Sequence, residues 1–142
     1  MKDKNCKYCM LTSEVTSMLE KITDLEVTTL FIRKDQSYNG RCVLSLKSHK
    51  TEFFQLSPEE QQAYARDLSR TTKAMYDAFS PDKLNYGVFG DTVPHFHLHL
   101  VPKYKGGKDW GGTFVGGAGA ASPADVIEKN IKLLKEKLGV SR

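Results

Sequence analysis

The segment His95-Phe96-His97-Leu98-His99-Leu100-Val101 alternates imidazole and apolar side chains without a break. A period of two sends successive side chains to opposite faces of a strand. The segment therefore has to be extended, with one apolar face against a core and one imidazole face. Three of the chain's four histidines lie in it. They are hard to account for as core packing, because each buried ring has two nitrogens that need partners.

The remaining elements are read around that strand. LEVTTLFIR (25–33) is rich in β-branched and apolar residues and is predicted as a strand. A turn through Asn39-Gly40 leads to a partner strand, RCVLSLK (41–47). KLNYGVF (83–89) is a third strand, GDTVP (90–94) a tight connection, and 95–101 a fourth strand. SEVTSMLEK (13–21) is predicted as a short helix capped by Ser13. Ser57-Pro58-Glu59-Glu60 opens a long helix, with Ser57 as cap, Pro58 in the first turn and Glu60 closing a capping box. It runs to Phe79, where Ser80-Pro81 stops it, and buries Tyr64, Leu68, Met75 and Phe79. Ser122-Pro123-Ala124-Asp125 starts a last helix with Ile127, Ile131, Leu134 and Leu138 on one face. Residues 105–121 hold seven of the eleven glycines and are expected to form a long loop. The expected fold is α+β: an antiparallel meander of about five strands, with the long helix on one face and a C-terminal helix. All of 1–142 is expected to be one domain.

Composition narrows the function classes. With 21 Lys+Arg against 17 Asp+Glu, the net charge of +4 is too mild to indicate a nucleic-acid polymer as partner. No apolar run approaches the ~20 residues of a membrane span, and there is no internal repeat, G-x-G-x-x-G or Walker loop. Three cysteines in a chain this long do not make a disulfide scaffold, and MKDKNCKYC lacks the apolar stretch of a secretory signal. A reducing, cytoplasmic setting is expected.

The imidazole face supports two chemistries. A neutral imidazole with Nδ1–H held by a carbonyl offers an Nε2 lone pair that attacks phosphorus and carries a nucleotidyl group, while flanking imidazoles donate to phosphate oxygens. Alternatively, His95, His97 and His99 hold a catalytic zinc. Alternate residues on a strand sit about 6.6 Å apart, so two such rings converge readily and three do so awkwardly.

These residues resemble the histidine-triad family, His-φ-His-φ-His-φ-φ with φ apolar. The resemblance extends to the turn at Gly40, the LSPEE helix start, GDTV before the triad and Val-Pro-Lys-Tyr after it, over roughly residues 6–104. It implies a nucleotide hydrolase or transferase, usually a homodimer, acting at the α-phosphorus of nucleoside 5′-phosphate derivatives such as dinucleoside polyphosphates, nucleotidyl-sulfates or nucleoside phosphoramidates. His97 would be the nucleophile, His99 would contact the α-phosphate, and Thr92 would bond phosphate or leaving group. Asp91 stands where many relatives have Gln, and needs protonation or a partner such as Lys103 or Lys105 beside a polyphosphate. Arg33 stands where relatives often place an acidic or amide ribose ligand, with Asp35 two residues later, and Arg33 would instead be able to meet a phosphate. Asn85 resembles a polar residue of the preceding strand, offset by one. Lys103, Tyr104, Lys105 and Trp110 form either a lid over the phosphates or a solvated loop. A non-catalytic nucleotide-binding regulator is a further alternative.

Cys6, Cys9, His49 and His95 have the ligand types of a closed tetrahedral zinc site. The resemblance strengthens this set, because a zinc-containing subset of the family pairs an N-terminal C-x-x-C with a histidine after the second strand and the first triad histidine. The zinc would be structural. The competing readings are a redox pair for the cysteines and a solvated loop position for His49. Cys42 is read as a small core residue.

Overall fold

The computed structural model describes residues 1–117 and 119–141. Ala118, inside the anticipated 105–121 loop, and Arg142, the last residue of the anticipated domain, lie outside the described residues. The chain order is α1 (Lys7–Met10), α2 (Ser13–Met18), β1 (Leu19–Asp24), β2 (Thr28–Arg33), β3 (Cys42–Leu46), α3 (Pro58–Phe79), β4 (Lys83–Val88), β5 (His97–Lys103) and α4 (Ala124–Leu138).

The expected α+β architecture is what forms. The strands make one antiparallel sheet in the order β1-β2-β3-β5-β4. The first three follow one another as in a meander. The 22-residue α3 then carries the chain across the sheet to its far edge, and β5 fills the place between β3 and β4.

Alternation sets the two faces of the sheet. Leu98 pairs with Leu44 and Leu100 with Cys42, and these join Leu30, Ile32 and Met75 in the core beneath α3 and α4. The other face carries His97 opposite Ser45 and His99 opposite Val43, covered by α1 and α2 through Tyr8 and Val15. Ser57 accepts from the Glu60 amide (3.1 Å) and Glu60 accepts from the Ser57 amide (3.0 Å), so α3 opens with the expected reciprocal cap. Ser80 ends it in a left-handed conformation at φ +47°.

Four sequence expectations are corrected. The helix predicted over 13–21 stops at Met18, because pairing with β2 draws Leu19–Asp24 into an edge strand that local propensity does not reveal. Thr12 rather than Ser13 holds the cap position, with no side-chain cap bond. Pro123 caps α4, since the Ser122 hydroxyl accepts from the Gln36 amide instead (2.8 Å). The histidine strand begins at His97 and extends to Lys103, two residues later than its alternation suggests. Gly40 is required where it stands: its φ is +86°, and a Cβ there would lie 2.7 Å from the Phe79 ring.

Candidate active site

The histidine face is built by hydrogen bonds that assign each ring. His97 Nδ1 lies 2.5 Å from the His95 carbonyl, which only accepts, so Nδ1 carries the proton and Nε2 keeps its lone pair. His99 Nδ1 lies 3.2 Å from Arg41 Nη2, which only donates, so the proton sits on Nε2. A bare nitrogen and an N–H donor thus stand on neighbouring rings whose centroids are 5.2 Å apart. Burial, reinforced by Arg41, His97 and Arg33, pushes the His99 pKa down to about 3. Burial also lowers His97, opposed by its bond to the His95 carbonyl and aided by the charge of Arg33. Both rings are neutral at physiological pH. A cavity of about 150 Å³ opens on them, lined also by Tyr8, Val15, Arg33 and Val43.

His95 turns away from this cavity. Its Nε2–H donates to the Leu46 carbonyl (2.8 Å), which leaves Nδ1 facing Cys6 Sγ at 3.3 Å, Cys9 Sγ at 3.5 Å and His49 Nδ1 at 3.3 Å. Cys9 Sγ and His49 Nδ1 are 3.4 Å apart, and all four donor atoms lie within 4.8 Å of one another. A tetrahedron with zinc bonds of about 2.0–2.3 Å has edges of about 3.3–3.8 Å. The donor set therefore fits zinc in type and in spacing, and the carbonyl behind His95 is the usual outer support of a ligating imidazole. The three triad rings do not converge on one point: their Nδ1 atoms face the cysteines, a carbonyl and Arg41 respectively.

Tyr8, between the two cysteines, stacks on His97 at 4.5 Å and 23° and on His95 at 5.6 Å and 17°. The sequence reading missed it, because a tyrosine inside a polar lead carries no periodicity. Arg41 was also missed, although its spacing from Val43 and Ser45 places it on the histidine face.

The other anticipated residues are more dispersed. Asp91 and Thr92 are exposed in the turn before the triad, and Val93 rather than Thr92 lines the cavity beside His97 and His99. Thr92 borders an adjoining recess with Cys6, Lys7 and His49. Asn85 pairs with Val101 and lines a separate groove with Tyr86, Phe89 and Phe114. Lys103 does not pair with Asp91: it is buried and donates to the carbonyls of Asp109 (2.8 Å) and Gly112. Lys105 is exposed and Trp110 is 40% exposed.

Taken together, sheet order and imidazole face define a class of α+β proteins with a histidine strand beside a Cys2His2 cluster. The architecture is shared by a histidine triad protein of Bradyrhizobium japonicum (TM-score 0.81, 24% identity, covering 89% of this chain and 96% of that one). It is also shared by a zinc-bound histidine triad family protein of Mycobacterium smegmatis (TM-score 0.67, 22% identity, 94% and 93% covered). An uncharacterized HIT-like protein of Mycoplasma genitalium is 29% identical over 113 residues, 75% of this chain and 79% of that protein. The HIT domain model matches residues 15–106, and the chain belongs to the histidine-triad (HIT) family.

Proposed function

We propose that this chain is a nucleotide hydrolase or transferase that works through a nucleotidyl-imidazole on His97. The observation that carries the reading is the pair of fixed tautomers, a bare His97 Nε2 beside a His99 Nε2–H. His97 Nε2 attacks the α-phosphorus of a nucleoside 5′-phosphate derivative. A P–N bond forms as the bond to the leaving group breaks, and the leaving group takes a proton from solvent, which the attacking water of the second step returns. Water then attacks phosphorus, the P–N bond breaks, and the nucleoside monophosphate departs; a transferase uses another acceptor. His99 Nε2–H donates to the phosphate oxygen on which charge builds up. The His95 carbonyl holds the proton on His97 Nδ1 and stabilises the charge the ring acquires. Thr92 and Asp91 act at the leaving-group end, and Asn85 contacts substrate from the groove it lines with Tyr86, Phe89 and Phe114. Val93 is the member of that turn that lines the cavity, which supports approach from this side.

Cys6, Cys9, His49 and His95 would hold a structural zinc, whose chemistry is to cross-link the N-terminal lead to the triad. Tyr8 then rests on the nucleophile. The zinc-bound relative supports this assignment. The unpaired edge of β4, with Tyr86, Val88 and Phe89 exposed, supports a homodimer. A single domain over 1–142 and a cytoplasmic location belong to the same reading. Among the described residues no helix is long and apolar enough to cross a membrane.

The test is to incubate the protein with a nucleoside 5′-phosphoramidate, quench in base and look for the nucleotide on the His97 peptide by mass spectrometry. The adduct is expected in wild type, and His97→Asn should lose at least ~10³-fold in turnover. A His97→Asn variant that turns over at the wild-type rate overturns the nucleophile. Tight nucleotide binding with no turnover in wild type would instead favour a regulator.

A further inference from the structure

Beyond His99, the histidine face ends in two arginines that no carboxylate contacts among the described residues. Arg33 and Arg41 face each other across the ends of β2 and β3, where the Arg33 amide donates to the Arg41 carbonyl (3.0 Å). Gln36 fixes both backbones by donating to the carbonyls of Arg33 (2.8 Å) and Arg41 (3.1 Å). The two residues are 6% and 3% exposed. Neither takes part in any ion pair among the described residues. Asp35, whose charge acts on both, already accepts from the amides of Ser37 (3.0 Å) and Gly119 (2.7 Å).

Their hydrogens go to neutral acceptors. Arg33 Nη2 donates to the Gly116 carbonyl (3.4 Å). Arg41 donates to the Val115 carbonyl (2.7 Å), to the same Gly116 carbonyl (3.5 Å) and to His99. Among the described residues Arg41 Nε is buried with no partner. Two guanidiniums thus converge on one carbonyl oxygen of a glycine whose side-chain position faces open space. Burying two like charges together is costly unless an anion answers them. The planar guanidinium fork matches a phosphate, which accepts several charge-assisted hydrogen bonds at once.

We propose that Arg33 and Arg41 form a second anion subsite, beside His99 at the end of the histidine face, that takes a phosphate group of the substrate other than the one His97 attacks. The carbonyls of Val115 and Gly116 hold that place in the free protein and turn aside when the phosphate enters. The Val115 amide meanwhile keeps its bond to the Tyr38 hydroxyl (2.9 Å). The inference rests on the nucleotide reading of the His97 site and narrows it to nucleotides with at least two phosphate groups. The second phosphate sits either along the 5′ chain or on the sugar.

Calorimetric titration tests this with adenosine and guanosine 5′-monophosphates, 5′-diphosphates and 3′,5′-bisphosphates, and with inorganic pyrophosphate. Wild type is expected to bind one of the two-phosphate nucleotides at least about tenfold more tightly than its monophosphate, and which one identifies the source of the second phosphate. Arg33→Gln should cut that preference about tenfold, Arg33→Lys should restore part of it, and thermal melts establish that both variants are folded. Monophosphate binding with no such preference, or with a preference that folded Arg33→Gln retains, overturns the subsite and leaves the nucleotide reading standing. Pyrophosphate binding that depends on Arg33, with no nucleotide bound, supports the subsite and overturns the nucleotide reading. Binding of none of these ligands overturns both.

Discussion

His99 owes its protonation state to a neighbour two strand positions from its own cross-strand partner. Arg41 donates to Nδ1, and burial together with that charge holds the ring's pKa near 3, far below the ordinary imidazole value of 6.5. The sign of the resulting pH dependence follows from proton counting. Between these two values the unfolded chain binds a proton that the folded chain does not, so folding is favoured less as pH falls. The His99 contribution is intact above pH ~6.5 and is lost below it at about 1.4 kcal/mol per pH unit until pH ~3. Urea denaturation of wild type and His99→Asn between pH 7.5 and 4.5 should show wild type losing its stability relative to the variant by that slope. A wild-type-minus-variant difference that stays flat with pH would contradict the assignment. His97 and His99 announce themselves by spacing, whereas their tautomers depend on a carbonyl and a guanidinium that alternation alone does not place.

At the scale of elements, α3 is the piece most fully written in local chemistry. Its start at Ser57-Pro58-Glu59-Glu60 and its stop at Ser80-Pro81 are satisfied by contacts three or four residues away. Ser57→Ala should therefore cost about 1 kcal/mol and lower the melting temperature by a few degrees, and Ser57→Asp should recover most of it. Thermal unfolding followed by circular dichroism reads both. β1 is the opposite case. Leu19–Asp24 continues a segment with helical character, and its strand state comes from pairing with β2. Asp67 adds to this, because its buried carboxylate accepts from the amides of Glu26, Val27 and Thr28 and so ties α3 to the β1–β2 turn. No pattern within residues 13–24 carries that information. The C-terminal helix lies between these cases: its apolar face is legible, but its start is capped differently because Ser122 is engaged by Gln36.

For the molecule as a whole, the N-terminal lead, the loop after β3 and the entry to β5 meet at the Cys6, Cys9, His49 and His95 cluster. Elemental analysis of the purified protein should find stoichiometric zinc, lost in Cys9→Ala. The zinc-free variant should melt at a lower temperature, with its lead released from His97. Metal-free wild-type protein of unchanged stability would remove zinc from the fold. Tyr8 makes the coupling visible: Tyr8→Ala should keep the metal but lower turnover, because it removes the ring stacked on His97.

What the amino-acid order determined alone is whatever depends on near neighbours and periodicity. That includes the extended histidine strand with its two faces, the limits of α3 and the ligand types that suit zinc. What only the tertiary structure decided is convergence. It turned His95 toward the cysteines and away from His97, set Tyr8 on the His97 ring and brought Arg33 and Arg41 to one carbonyl. Spacing fixes which face a side chain occupies. Where that side chain's hydrogen bonds end depends on strands and loops whose approach is settled by the packing of the whole sheet.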